Sequence, residues 1–383
     1  MFFVARVIWS AIKKQMQGGG KMRIILTGGG TAGHINPAVA IANYIKNKDN
    51  DAKFLFVGTK KGLESTLIPE EGFDIKYINA EGFKTSLSPK NIVPLTKFGV
   101  STLKSMKIIS SFKPDIVIGT GGYVCAPVVF AASLMKIPTL IHEQNVFPGS
   151  AVKFLSRFAN VTATSFKESD KYLSMAKNIV LTGNPIRPGV LCADRDSSRK
   201  ELKIGSEKLV VSFGGSLGAE KINDAICEYV KKYAKPDYKV IIATGKRSYE
   251  DVCDKMSEVT GKCSYEIKPY IHNMDTVMSA ADVLICRSGA ITLSEICALG
   301  KAAILIPSPN VVNNHQEYNA MALYKNNAAL LIHESDFNAK ALSEKIEEIL
   351  ENDKKRTQIE EASKKMAMTN ACDIIYSEIK KLI

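Results

Sequence analysis

Short apolar runs rich in β-branched residues alternate along this chain with stretches whose apolar positions recur every three to four residues. That alternation predicts an α/β fold, with parallel strands covered by helices on both faces. In the first half the predicted strands are 23–26, 53–57, 75–78, 116–118, 139–142, 161–163 and 179–181, nearly all ending in glycine or polar residues. The scheme restarts at KLVVSFGGSLGAEKIND (208–224) as strand, glycine turn and helix start, and continues through KVIIATG, SYEIKPY, DVLICRSGA and AAILIPSP. Two prolines in TGNPIRPGV (182–190) punctuate the passage between the halves. The predicted domains are therefore 22–186 and 187–367, with a terminal helix at about 368–383 returning to the first. Two Rossmann-like domains facing each other across a cleft are expected, with ligands at the carboxyl ends of the strands.

Length and composition fit this picture: 383 residues at 45% hydrophobic content suffice for two substantial cores. A formal charge of +12 points to an anionic partner without choosing among nucleic acid, a phosphorylated substrate and a membrane face. Eight cysteines without a C-x-x-C pair read as reduced core residues, and five histidines show no metal-ligand spacing. No apolar run reaches the ~18 residues of a membrane span. Residues 1–21 resemble a targeting segment, but Arg6 interrupts the apolar run and no small-residue cleavage site follows. They read as a leader, with Met22 as the natural start.

The stretch LTGGGTAGHINP (26–37) contains G-x-G-x-x-G at Gly28, Gly30 and Gly33. A dinucleotide site would need an acidic residue at the end of the second strand, yet FLFVGTKKG offers lysines there. Asn36 and Pro37 read as N-cap and first helical residue, so the loop is expected to run past the third glycine. It would carry free backbone N–H groups and His34, whose neutral form the helix dipole favours. Such a histidine could accept a proton, or simply bond the backbone of a tight turn. The second loop, Gly214–Ala219, lacks the G-K-[ST] of a P-loop but suits a diphosphate, with Ser216 as an extra donor. CRSGAITLSEI (286–296) puts Ser288, Gly289 and Ala290 at a strand end and Glu295 in the following helix, where it could accept ribose hydroxyls or favour the helix dipole. NNHQEYNA (313–320) groups amides suited to sugar hydroxyls or to a helix cap.

The ordered motifs GGTAGH, GTGGYVCAP, HEQN, GNPIR, GGSLGA, RSGAITLSE and HQEYNA resemble the MurG family of UDP-N-acetylglucosamine transferases, from about Met22 to the C-terminus. The resemblance implies a GT-B fold and inverting transfer of GlcNAc from UDP-GlcNAc to the C4 hydroxyl of the MurNAc sugar of lipid I, forming lipid II. No metal or other cofactor is implied. Carried over by motif, Gly30, Thr31 and Ala32 lie near the donor sugar and acceptor diphosphate, and Asn145 contacts the transferred sugar. Arg187, Ser216 and Ala290 fall on the nucleotide side. Ile271 offers main-chain contacts to uracil, Glu295 holds the ribose and Gln316 the GlcNAc hydroxyls. His34 is the candidate base or acceptor-orienting group, and Glu143 is a rival carboxylate whose motif could instead position its loop. Ala32 departs from the family's usual glycine.

Lipid I implies work at the anionic cytoplasmic face of the membrane, with other cell-wall synthesis and division proteins as partners. Residues 82–114 carry six lysines and no acid, interleaved with apolar residues. Lys90, Lys97, Phe98 and Lys104 are the expected docking residues; the same apolar positions could instead pack the helix on its own sheet. Nucleic acid is disfavoured, because aromatic residues rarely interleave the basic ones and no recognition motif occurs. The remaining alternatives are another GT-B enzyme, such as a glycolipid glycosyltransferase or a UDP-GlcNAc epimerase, and a non-catalytic nucleotide-sugar-binding protein.

Overall fold

The computed structural model describes residues 21–81, 92–215, 218–259 and 263–383, with the backbone alone for 92–95. The expected leader, except Lys21, lies outside the described residues, as do Lys90 and Ser216.

The first sheet contains β1 (Arg23–Thr27), β2 (Lys53–Gly58), β3 (Ile75–Tyr77), β4 (Ile116–Gly119), β5 (Thr139–Glu143), β6 (Val161–Thr164) and β7 (Ile179–Leu181), in the order β3-β2-β1-β4-β5-β6-β7. The second contains β8 (Lys208–Phe213), β9 (Tyr238–Ala243), β10 (Ser264–Lys268), β11 (Val283–Cys286), β12 (Ala303–Leu305) and β13 (Leu330–Leu331), in the order β10-β9-β8-β11-β12-β13. Parallel pairing joins β1 to β2 and β4, and β8 to β9 and β11. The chain thus winds outward from β1 and from β8, then reverses across each of them. Those reversals put the first glycine loop beside GTGGY, and Gly214, which follows β8, beside the start of RSGA after β11, at the switch points where such sheets bind ligands.

Strand residues alternate between two buried faces. In the second sheet Leu209, Val211, Phe213, Leu284 and Cys286 join one core, and Val210, Val283 and Ile285 the other. Burial on both faces makes the strands near-continuous apolar runs, which is why the sequence marks them. Strand β13, only two residues long, carries too little pattern to be seen in advance. All eight cysteines are free thiols, with Cys125, Cys227, Cys286 and Cys297 buried. Among the described residues no helix is long and apolar enough to cross a membrane.

By contacts the chain divides into two compact units, one of the described residues up to Leu140 with Ile379–Ile383, the other Ile141–Glu378. The expected boundary at 186/187 lies between the two sheets, after β7 and before β8. The loops after β5 and β7 also bond to residues 288–319, as described below.

The helix after β1 also begins earlier than expected. It spans Ala32–Lys48 with extended Thr31 as N-cap, and Pro37 lies inside it. Gly30, at φ +85°, turns the chain before Thr31, whose carbonyl then accepts from the N–H groups of His34 and Ile35. Pro37 lacks the N–H that would reach Gly33, a loss confined to the second turn. His34 accordingly stands in the first helical turn rather than in a loop before it.

Candidate active site

In the first unit, the loop after β1 packs against the one after β4. Gly121 and Gly122 have φ of +103° and +78°. A Cβ on Gly121 would lie 2.8 Å from His34 Cδ2, and one on Gly122 would lie 2.2 Å from the Gly29 carbonyl oxygen. Bare backbone is thus what lets the His34 ring sit beside GTGGY. Thr120 Oγ1 donates to the His34 carbonyl at 2.7 Å. His34 Nδ1 lies 3.2 Å from both the Gly29 carbonyl and Thr31 Oγ1. A carbonyl can only accept, so Nδ1 carries the proton and the neutral ring has its basic lone pair on Nε2.

The Gly30 N–H is not a free donor, contrary to the expectation for this loop. It donates to Glu64 Oε2 at 3.0 Å, while Glu64 Oε1 accepts from Thr59 N–H at 2.9 Å and Thr59 Oγ1 at 2.8 Å. The lysines after β2, Lys60 and Lys61, are exposed. An acid does follow the second strand, but it is turned under the glycine loop. Thr31 is exposed and Ala32 half-buried at the helix start.

In the second unit the HEQN segment forms a braced loop. Glu143 is buried, and both its oxygens serve the loop. Oε1 accepts from Asn145 N–H at 2.9 Å and Asn145 Nδ2 at 3.2 Å, and Oε2 from Gly149 N–H at 2.9 Å. Burial pushes its carboxyl above the usual range, against those hydrogen bonds. His142, fully buried between the Gly183 carbonyl and Gln144 Nε2, is driven down to about 4 by burial and is neutral at physiological pH. Asn184 ties the same loop to the Ala290–Leu299 helix, donating to the Gln144 carbonyl at 3.1 Å and to Ser294 Oγ at 3.0 Å.

Asn319, which the sequence reading did not single out, joins three motifs. With no exposed surface, it accepts from Val146 N–H at 2.9 Å and donates to Asn145 Oδ1 at 3.0 Å and to the Ser288 carbonyl at 3.2 Å. Asn145 is therefore held at both ends of its amide, its Nδ2 donating to Glu143 and its Oδ1 accepting from Asn319. Phe147 stacks on Tyr318 at 5.0 Å, with Lys153 Nζ 3.5 Å from the Phe147 ring centre.

Arg187 and Glu295 form a two-point ion pair, Nε to Oε1 at 2.6 Å and Nη2 to Oε2 at 3.0 Å. Glu295 is buried, whereas half of the Arg187 side chain is exposed. Ala290 is the first residue of its helix, behind extended Gly289, and the hydroxyl of Ser288 is buried there without a partner. Gln316 accepts from the Ser308 N–H at 2.9 Å through Oε1, which leaves its Nε2 as the group to meet an acceptor. Ile271 buries its side chain in the core just after β10. Among the described residues no group of three or more histidine, cysteine or carboxylate side chains could hold a metal.

Family models match both parts of the chain: the glycosyltransferase family 28 N-terminal domain over residues 24–164 and its C-terminal domain over 209–375. Transferases named UDP-N-acetylglucosamine–N-acetylmuramyl-(pentapeptide) pyrophosphoryl-undecaprenol N-acetylglucosamine transferase share 47% identity in Acetivibrio thermocellus and 48% in a Thermoanaerobacter species. The matches cover 94% of this chain and 98% and 100% of those relatives. The crystal structure of Acinetobacter baumannii MurG superposes with a TM-score of 0.77 at 26% identity, covering 94% of this chain and all of the other. A UDP-GlcNAc 2-epimerase from Neisseria meningitidis, at 16% identity and a TM-score of 0.64, shares the fold over 94% of this chain and all of that one. The chain belongs to glycosyltransferase family 28 and has its GT-B fold; within that family it belongs to the MurG group.

Asn319→Leu would strip partners from the Val146 N–H, the Ser288 carbonyl and Asn145. It should lower the unfolding free energy by about 2–4 kcal/mol, read from urea denaturation. A change within about 0.5 kcal/mol would show that the buried amide is dispensable.

Proposed function

We propose that this protein transfers GlcNAc from UDP-GlcNAc to the C4 hydroxyl of the MurNAc sugar of undecaprenyl-diphospho-MurNAc-pentapeptide, lipid I, giving lipid II for peptidoglycan. Full-length kinship with transferases of that name supports the reaction. The observation that carries the chemistry is His34, whose Nδ1 proton is committed to the Gly29 carbonyl and whose Nε2 is therefore the basic nitrogen. In the single displacement the C4 oxygen bonds to the anomeric carbon as the anomeric C–O bond to the diphosphate breaks. The electron pair leaves with UDP, the configuration inverts, and the hydroxyl proton passes to His34 Nε2. Glu143, with both oxygens spent on its own loop, is read as the brace that orients Asn145 towards the transferred sugar.

On the donor side Glu295 takes the ribose hydroxyls and Gln316 Nε2 the GlcNAc hydroxyl oxygens, while the Gly214–Ala219 loop, Ser216 included, meets the diphosphate at a helix N-terminus. The uracil is read against the main chain at Ile271, with Ala290 also taken on the nucleotide side. Ribose binding displaces the guanidinium of Arg187 from Glu295 and frees that cation for the departing diphosphate. Thr31 and Ala32, at the start of the Ala32–Lys48 helix, face the acceptor diphosphate with Gly30 setting the turn. His34→Ala should lower kcat by ~10²- to 10⁴-fold with the donor KM little changed. Near-normal turnover with UDP-GlcNAc and a lipid I analogue would overturn the assignment.

The acceptor's lipid requires a membrane surface, and the Ile92–Phe112 helix offers one. Val100 and Leu103 are 64% and 68% exposed, and Leu103, with Leu134 of the Cys125–Leu134 helix, lines an open groove together with Phe98, Met106 and Phe130. Phe98 packs on Phe130, with ring centres 5.7 Å apart. An exposed apolar patch flanked by exposed Lys104 and Lys107 suits an anionic bilayer at the cytoplasmic face. Lys97 contributes less than the sequence suggested, because Glu81, just ahead of the acid-free stretch, pairs with it at 2.6 Å. Docking there would also bring the protein among other cell-wall synthesis and division proteins. The chain should sediment with vesicles containing anionic phospholipid and not with neutral ones, and Leu103→Asp with Lys104→Glu should release it; binding unchanged in that variant would refute this face.

A further inference from the structure

One peptide unit in the first glycine loop has both polar groups committed to side chains. The N–H of Gly30 donates to Glu64 Oε2 at 3.0 Å, and the Gly29 carbonyl, the other half of that peptide, accepts from His34 Nδ1 at 3.2 Å. A trans peptide points these groups in opposite directions, so carboxylate, peptide and imidazole form a line. We propose that Glu64 is a positioning residue for His34, acting through the Gly29–Gly30 peptide to hold the imidazole with its proton on Nδ1 and its lone pair on Nε2. This rests on the reading of His34 as the base and explains what sets its orientation.

The surroundings of Glu64 are built for an anion. The side chain is 1% exposed, and the groups bonded to its oxygens are all donors: Gly30 N–H, Thr59 N–H and Thr59 Oγ1. Glycines close in around it. A Cβ on Gly29 would lie 2.7 Å from Glu64 Cδ, one on Gly58 2.6 Å from Cγ, and one on Gly62 2.1 Å from Oε2. Burial, the largest single influence, pushes the carboxyl up, but the summed hydrogen bonds from Gly30, Thr59 and its own backbone N–H hold it below the usual range. It is therefore ionised at neutral pH. Glutamine would present two hydrogens where this pocket supplies only donors, so it cannot satisfy both sides.

An ionised acceptor on the Gly30 N–H polarises the peptide and makes the Gly29 oxygen a stronger acceptor for Nδ1–H. The logic is that of a carboxylate orienting a histidine, with one amide plane interposed. Tyr123 also faces the pair, with its Cε1 3.2 Å from where a Gly30 Cβ would stand and its hydroxyl 3.4 Å from Thr59 Oγ1; exposed Lys60 and Lys61 follow Thr59 along the chain. Neither the G-x-G-x-x-G pattern nor His34 itself points to Glu64, which lies 34 residues from Gly30.

The test compares the pH dependence of kcat/KM for a lipid I analogue in the wild type, Glu64→Gln and His34→Ala. A base must be unprotonated to act, so activity rises with pH through the imidazole pKa. Removing the nearby negative charge lowers that pKa and should move the acidic limb to lower pH. Glu64→Gln should also lower kcat ~10- to 100-fold with the donor KM unchanged. A merely structural Glu64 would lower activity without moving the limb. If His34→Ala abolishes the limb but Glu64→Gln leaves it at the wild-type pH, the positioning role is overturned and the base stands. If His34→Ala keeps the limb, the base reading fails and this proposal with it. Should Glu64→Gln not fold, ¹⁵N-histidine NMR of the wild type decides, with the His34 signal assigned by its loss in His34→Ala: an Nδ1–H ring is expected, and an Nε2–H ring would overturn the proposal.

Discussion

A carboxylate taken out of water must be surrounded by hydrogen-bond donors, and that requirement shapes the loops at the carboxyl ends of the first sheet. Glu64 gathers the N–H groups of Gly30 and Thr59 beneath the loop after β1. Glu143 gathers those of Asn145 and Gly149 in the loop after β5. Each loop is thus folded around a buried carboxyl group that accepts the hydrogen bonds of the loop's own N–H groups. The side chains it carries outward, His34 in one case and Asn145 in the other, inherit their orientation from that centre.

The strand order decides where such loops are useful. Because the chain reverses across β1 and across β8, the loops after β1 and β4 meet at one switch point, and those after β8 and β11 meet at the other. Glycines at 121 and 122 let the first pair interlock with no side chain between them. In the second unit the corresponding contacts are polar. Asn319 and Asn184 fasten the loops after β5 and β7 to the turn after β11 and the helix behind it.

Much of this architecture is legible in the sequence for a physical reason: strands buried on both faces cannot avoid being apolar runs, and sharp turns at their ends require glycine. The glycine loops and His34 could be picked out from local turn chemistry, whereas the roles of Asn145, Arg187, Ile271 and Gln316 came only from the resemblance of the ordered motifs to a known family. What escaped was long-range. Glu64 reads as an ordinary first-turn acid until the fold sets it under Gly30, and Asn319 as an ordinary helix amide until it meets Asn145, 174 residues away in the chain. Pro37 misled because a proline at a helix start is the common case, whereas here the turn at Gly30 starts the helix five residues earlier. The pairing of Arg187 with Glu295 joins two residues that the motifs had assigned separately to one ligand.

That ion pair changes how recognition at Glu295 should be understood. Each of its oxygens already accepts a hydrogen bond from Arg187, so the ribose contact proposed at Glu295 is one of exchange, hydroxyl donors taking the place of the guanidinium. Exchange contributes little to overall affinity, because one set of hydrogen bonds replaces another. It contributes much to discrimination, because a molecule without donors in the right geometry would leave the guanidinium in place and find the position shut. A compound designed to compete there gains most by offering the acid a planar pair of donors, as Arg187 does, rather than by adding apolar bulk.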